Sequence, residues 1–423
     1  MSKPCKPISG DRQRVYFDHA ATTAPRPEVI DVVDRVLRCE YGNASSFYVE
    51  GHSAHAVLEA SRATIADILG VAPEEIFFTS CGTESDNWAI KGVAHAKQNK
   101  GRHLITTKIE HHAVLHTMQA LEKEGFEVTY LDVDRFGQVD PADVEAAIRP
   151  DTILVSVMMA NNEIGTIQPI EAIGKICKAH KVLFHCDGVQ ALGAIPVRPR
   201  ELGCDLMAFS GHKLYAPKGI GVMYKRKGVR IDRLIEGGAQ ESKQRGGTEN
   251  VAFAAAFARA LELAAADMDD ESARQITLRD RLIHGIIERV PHTKLNGHPT
   301  KRLPNNVNVS FEFIEGESIL LLLDALGYAC SSGSACTSAS LDPSHVLLAI
   351  GLPHEIAHGS LRVTIGRETT EDDVERFLND VPGVIQRLRD MSPLYDDYKQ
   401  GRIRCLIPPE GGIDVKIDGG YGL

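Results

Sequence analysis

The sequence predicts an α/β fold, with a large domain on a mostly parallel sheet followed by a smaller α+β domain. Three observations predict it. Short apolar strand segments alternate with helical ones from about residue 26 to about 250, the pattern of parallel strands covered on both faces by helices. Beyond that point the alternation gives way to an Ala-rich helical stretch. The length, 423 residues, leaves room for more than one core.

The elements follow in order. Val29, Val32, Val33, Val36 and Leu37 recur at helical spacing, and Gly42 stops them. A second helix is predicted over 53–69, closed by Gly70. The run IFFT (76–79) is a buried strand leading into CGTESDN and another helix. Further strands are expected at 103–107, 128–133, 153–159, 182–185 and 206–210, with helices at 114–123, 140–147 and 170–180 between them. The second part reads as two helices (251–268 and 271–290), an alternating strand NVNVSFEF (306–313) and a helix from Glu317. A Gly/Ser-rich loop and a helix over 371–389 complete it. The tail from Gly401 carries little apolar pattern and is expected to be extended.

Composition excludes several classes. Hydrophobic residues at 43% and charged residues at 25% match an ordinary globular protein. A net charge of -10 argues against a general nucleic-acid binder, which needs a basic face. No apolar run approaches the roughly 18 residues needed to cross a bilayer, and the amino terminus lacks a secretory core, so a cytoplasmic protein without a membrane partner is expected. The nine cysteines are scattered with no CxxC pair, so neither a metal site nor a disulfide framework is expected. Most should be small buried hydrophobes.

Four segments carry chemistry. SCGTESDN (80–87) lies between a strand and a helix, where free backbone N–H groups, Gly82 and the Thr83 hydroxyl suit a phosphate; Thr-Glu is equally an ordinary helix start. FHCDGVQA (184–191) places Asp187 at the carboxyl end of a strand, where it can pair with a cationic ring nitrogen or simply cap the next segment. FSGHKLYAPKGIG (209–221) places Lys213 directly after a strand, beside Ser210 and His212 as donors to a phosphate. Partial burial near cations lowers an amine's pKa and suits it to covalent cofactor chemistry, whereas a loop lysine otherwise snorkels to water. CSSGSACTSASLDPSH (330–345) is too rich in small residues to pack, so a mobile loop is expected, with Cys336 free to react and Cys330 structural. Two smaller features are IEHHAVL (109–115), where His111 or His112 can stack on a ring, shuttle protons or cap a helix, and AHGSLRVTIGR (357–367), where Arg362 or Arg367 can grip a carboxylate.

In order, SCGTESDN, EHHAVL, ANNEIGT, HCDGVQ, SGHKLYAPKG, GGTEN and SSGSACTSASLDPSH resemble the cysteine desulfurases of the nitrogen-fixation and iron–sulfur-cluster type. These are fold-type I pyridoxal-phosphate-dependent transferases, class-V aminotransferase-like, and the resemblance runs from YFDHAATTAPRP (16–27) to SPLYDDYKQG (392–401). It implies pyridoxal 5'-phosphate as cofactor, carried by Lys213. Asp187 is then the ring-nitrogen partner, Gln190 the hydrogen bond to the ring hydroxyl, and His111, rather than His112, the stacking and proton-transferring histidine. Gly82, Thr83, Ser210 and His212 resemble the phosphate cup. Thr248 in GGTEN resembles the residue that reaches the neighbouring subunit's phosphate, which implies a homodimer. Asn162 lies near ring and substrate carboxylate, Arg362 resembles the carboxylate anchor, and Cys336 the persulfide-forming cysteine. Two departures stand out: DHAATT differs from the usual start, so His19 takes no role, and the chain after Gly401 does not match the usual carboxyl tail.

The expected activity is conversion of L-cysteine to L-alanine, with sulfur passing to Cys336 and on to an iron–sulfur scaffold or another acceptor protein. The alternatives are a selenocysteine lyase or aminotransferase of the same fold, or a non-catalytic scaffold. The expected division is an N-terminal segment (1–25) packing with the small domain, a large domain (26–255), a small domain (256–400) with the cysteine loop, and a tail (401–423).

Overall fold

The computed structural model describes residues 14–332 and 343–417. Its strands are β1 (Val15–Tyr16), β2 (Ile76–Thr79), β3 (His103–Thr107), β4 (Glu127–Leu131), β5 (Thr152–Ser156) and β6 (Leu183–Asp187). They continue with β7 (Leu206–Ser210), β8 (Gly221–Lys225), β9 (Thr293–Leu295), β10 (Asn306–Phe311), β11 (Tyr328–Ala329) and β12 (Ser360–Thr364). By spatial clustering the chain divides into two units, 22–162 with 166–270, and the remainder including 163–165 and everything from 271. The sequence draws its boundary at 255; the division falls at 270–271, inside a helix.

The first unit is built on a seven-stranded sheet in the order β2-β8-β7-β6-β5-β3-β4. All neighbours run parallel except β8, which is antiparallel to both β2 and β7. Every residue of β3, β5 and β7 is buried, as expected of strands covered on both faces. β2, β3, β5, β6 and β7 all end at one edge of this sheet. Open α/β sheets bind ligands outside the carboxyl ends of their strands.

The second unit holds a three-stranded antiparallel sheet, β12-β10-β9, and the parallel pair β1-β11. Val15 and Tyr16 pair with Tyr328 and Ala329, so β1 lies in this carboxyl-terminal unit. Leu282, Val309, Leu323, Leu361 and Phe377 share its core.

Two expectations are corrected. The helices predicted at 251–268 and 271–290 are one helix of 39 residues, Val251–Arg289. Asp269 and Asp270 interrupt the apolar pattern, yet neither is a Gly or Pro that would break the backbone. The tail is also more than an extended strand as far as residue 417. Ile407 is fully buried, and the N–H groups of Leu406 and Ile407 both donate to the buried Glu312 carboxylate at 2.7 Å. Further on, Gly412 exchanges backbone hydrogen bonds with Thr293 and Leu295. Among the described residues, no helix is long and apolar enough to cross a membrane.

Candidate active site

Strands β6 and β7 run side by side, with Asp187 opposite Ala208. Asp187 ends β6, and one residue beyond β7's last, Ser210, the chain turns through a short 3-10 segment, Gly211–Lys213. Position 211 must be glycine: a Cβ there would sit 2.8 Å from Ile220 Cγ2 and 3.1 Å from Phe257 Cδ2. Asp187 is buried, and its Oδ1 accepts the Val189 N–H at 2.9 Å. The cap expected of it is thus a turn cap, not a helix cap. Burial pushes the Asp187 carboxyl up to about 6, while the Val189 N–H and the Lys213 charge oppose that rise. A charge at Lys213 is therefore felt at Asp187.

The turn around Lys213 is pinned from the chain's early residues. Thr23 donates to the His212 carbonyl from its N–H at 3.0 Å and its hydroxyl at 2.9 Å. His212 Nδ1 lies 3.1 Å from the Thr22 hydroxyl. Burial, then Lys213 and Lys218, push the His212 imidazole down to about 4, so it is neutral at physiological pH. Ser210 is buried and Gln190 half-buried in the turn after Asp187.

The helix Gly82–Lys97 starts beside that turn. Its N-cap, Cys81, makes no side-chain hydrogen bond to the helix, so that side chain leaves the first N–H groups open. A Cβ at Gly82 would lie 2.7 Å from Val189 Cγ2, so glycine is needed for the helix start to approach the 187–190 turn. Thr83 is exposed at this end. Glu84 takes a two-pronged pair from Arg245, at 2.8 and 3.0 Å, which fixes the segment carrying exposed Thr248.

After β3, His111 caps the helix His112–Lys123, its Nδ1 accepting the Ala113 N–H at 3.1 Å. That bond places the ring proton on Nε2. His112 lies against His116, with ring centroids 4.8 Å apart. Glu110 is buried, and its Oε1 accepts the Thr107 hydroxyl at 2.7 Å and the Met158 N–H at 3.0 Å. Asn161 donates to the Ile109 carbonyl at 2.9 Å, and half-buried Asn162 follows.

In the carboxyl-terminal unit Arg362 sits on β12, 2% exposed, with Nη2 2.9 Å from Asp18 Oδ1. Its backbone exchanges hydrogen bonds with Ser331. Glu163 is buried there, bonded to the Ser344 hydroxyl, and burial pushes it up to about 7. Arg367 is half-buried off the strand, its carbonyl accepting from Arg274. Cys336 lies outside the described residues. Burial pushes the Cys330 thiol up, which suits a structural cysteine. Among the described residues, no group of three or more His, Cys, Asp or Glu side chains can hold a metal.

A buried carboxyl at the end of one strand, answering a lysine in the turn after the next parallel strand, beside an uncapped helix start and a neutral histidine, fits an anionic, pyridine-containing cofactor. This is the architecture of fold-type I pyridoxal-phosphate enzymes. The chain belongs to the class-V aminotransferase family, a pyridoxal-phosphate-dependent family, which it matches over residues 15–377. It is 54% identical over 387 residues to cysteine desulfurase IscS of Methanosarcina thermophila, covering 92% of this chain and 96% of that relative. A cysteine desulfurase IscS of Clostridium botulinum is 50% identical over 392 residues, covering 92% and 99%. Among solved structures, a NifS-like protein superposes with a TM-score of 0.84 at 39% identity, covering 89% of this chain and all of that one. SspA in complex with cysteine superposes with a TM-score of 0.75 at 35% identity, covering 84% and 99%.

Proposed function

We propose that the chain is a cysteine desulfurase that uses pyridoxal 5'-phosphate to convert L-cysteine to L-alanine, moving the sulfur to Cys336. The observation that carries this reading is Asp187 and Lys213 following adjacent parallel strands, close enough that one charge shifts the other's ionisation. The cysteine-bound neighbour supports the substrate.

When bound, pyridoxal phosphate supplies an electron sink for charge developing at the substrate Cα. This chain's residues do the rest. Lys213 carries the cofactor and, once released, removes the Cα proton. Asp187, as carboxylate, keeps the ring nitrogen protonated, and Gln190 and His111 orient the ring. Gly82 and Thr83 at the helix start, with Ser210 and His212, hold the phosphate. Arg362, braced by Asp18, takes the substrate carboxylate with Asn162. The Cys336 thiolate attacks the substrate sulfur; the S–S bond forms as the Cβ–S bond breaks, and its electron pair returns to the carbon fragment, which takes one proton at Cβ, regains at Cα the one Lys213 removed, and leaves as alanine. His111, with its proton on Nε2, exchanges the Cβ proton.

A homodimer belongs to the same reading. Thr248 is exposed three residues after Arg245, and Phe47, Tyr48 and Val49 form an exposed apolar run, Phe47 at 94%, with Tyr41 exposed before it. The persulfide then serves an iron–sulfur scaffold or another acceptor protein.

Labelled cysteine followed by peptide mapping tests the proposal. Label should appear as a persulfide on the Cys336 peptide, and Cys336→Ala should stop sulfur release while the cofactor's colour remains. Persulfide on a different cysteine, or alanine formed at the wild-type rate by the variant, rejects it.

A further inference from the structure

Behind Asp187 lies a buried pair that none of the roles above uses. Asp86, on the second turn of the helix Gly82–Lys97, is 1% exposed, and His185, on β6, is fully buried. Asp86 Oδ1 and His185 Nε2 are 3.4 Å apart, and among the described residues neither atom has a hydrogen-bond partner. His185 Nδ1 is 2.8 Å from the Ser156 hydroxyl at the end of β5. His185 stands two residues before Asp187 on one strand, so both side chains project from the same face of the sheet.

Buried polar atoms without partners are costly, and a buried ion pair is worse than neutral unless its remaining lone pairs are satisfied. As an imidazolium–carboxylate pair, Asp86 and His185 would put a second negative charge near Asp187, whose own charge Lys213 already answers. Burial first, and then Asp187, Glu110 and Cys81, disfavours a charge on Asp86. Burial alone pushes His185 down to about 3. Both therefore hold as neutral groups, and a neutral carboxylic acid supplies the one proton that lies between them.

Resting on the reading of Asp187 as the ring-nitrogen partner, we propose that Asp86 is a positioning residue that acts through His185. Its neutral carboxylic acid donates a hydrogen bond to His185 Nε2, and His185 Nδ1–H donates to Ser156. This charge-free chain leaves Asp187 the single anion of the buried cluster, so one carboxylate meets one protonated ring nitrogen. A small side-chain rotation brings the 3.4 Å separation to the roughly 2.7 Å of an ordinary O–H hydrogen bond.

Asp86→Asn, an isosteric neutral mimic, provides the test in the full-length protein. A carboxyl whose folded pKa is raised loses stability as pH rises above its unfolded value, and Asn does not. The melting temperature of the variant minus that of wild type should therefore climb by about 3 °C or more between pH 5 and 9, with or without cofactor. A flat or falling difference overturns the proposal. In the holoenzyme, the pH midpoint of the cofactor's visible band should move by less than about 0.3 unit in Asp86→Asn; a move of about one unit or more, as loss of a nearby buried charge gives, also overturns it. Nitrogen NMR of His185, assigned by its absence in His185→Gln, should show a ring carrying one proton from pH 5 to 9; a doubly protonated ring overturns the proposal even if Asp86→Asn does not fold. Failure of the melting and NMR results condemns the Asp86 chain alone, whereas a protein that takes up no cofactor condemns the reading of Asp187.

Discussion

The Glu110 carboxyl accepts the Met158 N–H at 3.0 Å, across 48 residues of sequence, and so ties the loop after β3 to the segment after β5. One residue on, His111 caps its helix. A buried carboxyl thereby fixes the backbone from which the proposed ring-stacking histidine projects.

Glu110 predicts a pH-dependent stability. Burial, mainly, pushes it up to about 8, far above an unfolded carboxyl near about 4.3. A raised folded pKa means its stabilisation is complete below the unfolded value and is lost as pH climbs towards 8. Glu110→Gln should flatten the fall in melting temperature over that range. Glu110→Ala, which strands the Met158 N–H and the Thr107 hydroxyl, should cost about 1–3 kcal/mol. Thermal melts from pH 5 to 9 read the first, and urea unfolding at pH 6 the second.

Asp187→Asn should leave the fold intact but remove the counter-charge for the ring nitrogen. Loss of one such charge-stabilising group costs on the order of 10²–10³ in turnover. Cofactor absorbance and kcat, measured together, separate poor loading from poor chemistry.

Asp18 braces Arg362, and the two are 344 residues apart. Asp18→Asn should raise KM for cysteine about tenfold, equivalent to about 1.4 kcal/mol, with the cofactor spectrum unchanged. Steady-state kinetics on L-cysteine check it, and an effect confined to kcat would contradict it.

The tail is a stability element. Ile407→Ala removes a fully buried side chain and should cost roughly 2–4 kcal/mol. Leu406→Pro deletes one of the two N–H groups that satisfy Glu312 and should cost about 1–3 kcal/mol. Denaturant titrations of the full chain measure both, and midpoints equal to wild type would show the tail to be unattached.

The sequence by itself determined the alternation of strands and helices, the strands that end at Asp187 and Ser210, and the motifs that hold Lys213, His111 and Arg362. These are local signals: apolar period, a glycine, a charged residue at a strand end. Asp86, His185, Glu110, Glu163 and Asp18 lie inside or beside those same motifs, yet nothing local marks them as buried partners. Only the tertiary structure decided that Asp18 meets Arg362 and Glu110 meets Met158, because strand register brings together residues far apart in sequence. It also joined two predicted helices into Val251–Arg289 and docked Leu406 and Ile407 on Glu312. A buried carboxyl is tolerable only where the fold delivers donors to it, and those of Glu312, the Leu406 and Ile407 N–H groups, lie 94 and 95 residues away in sequence.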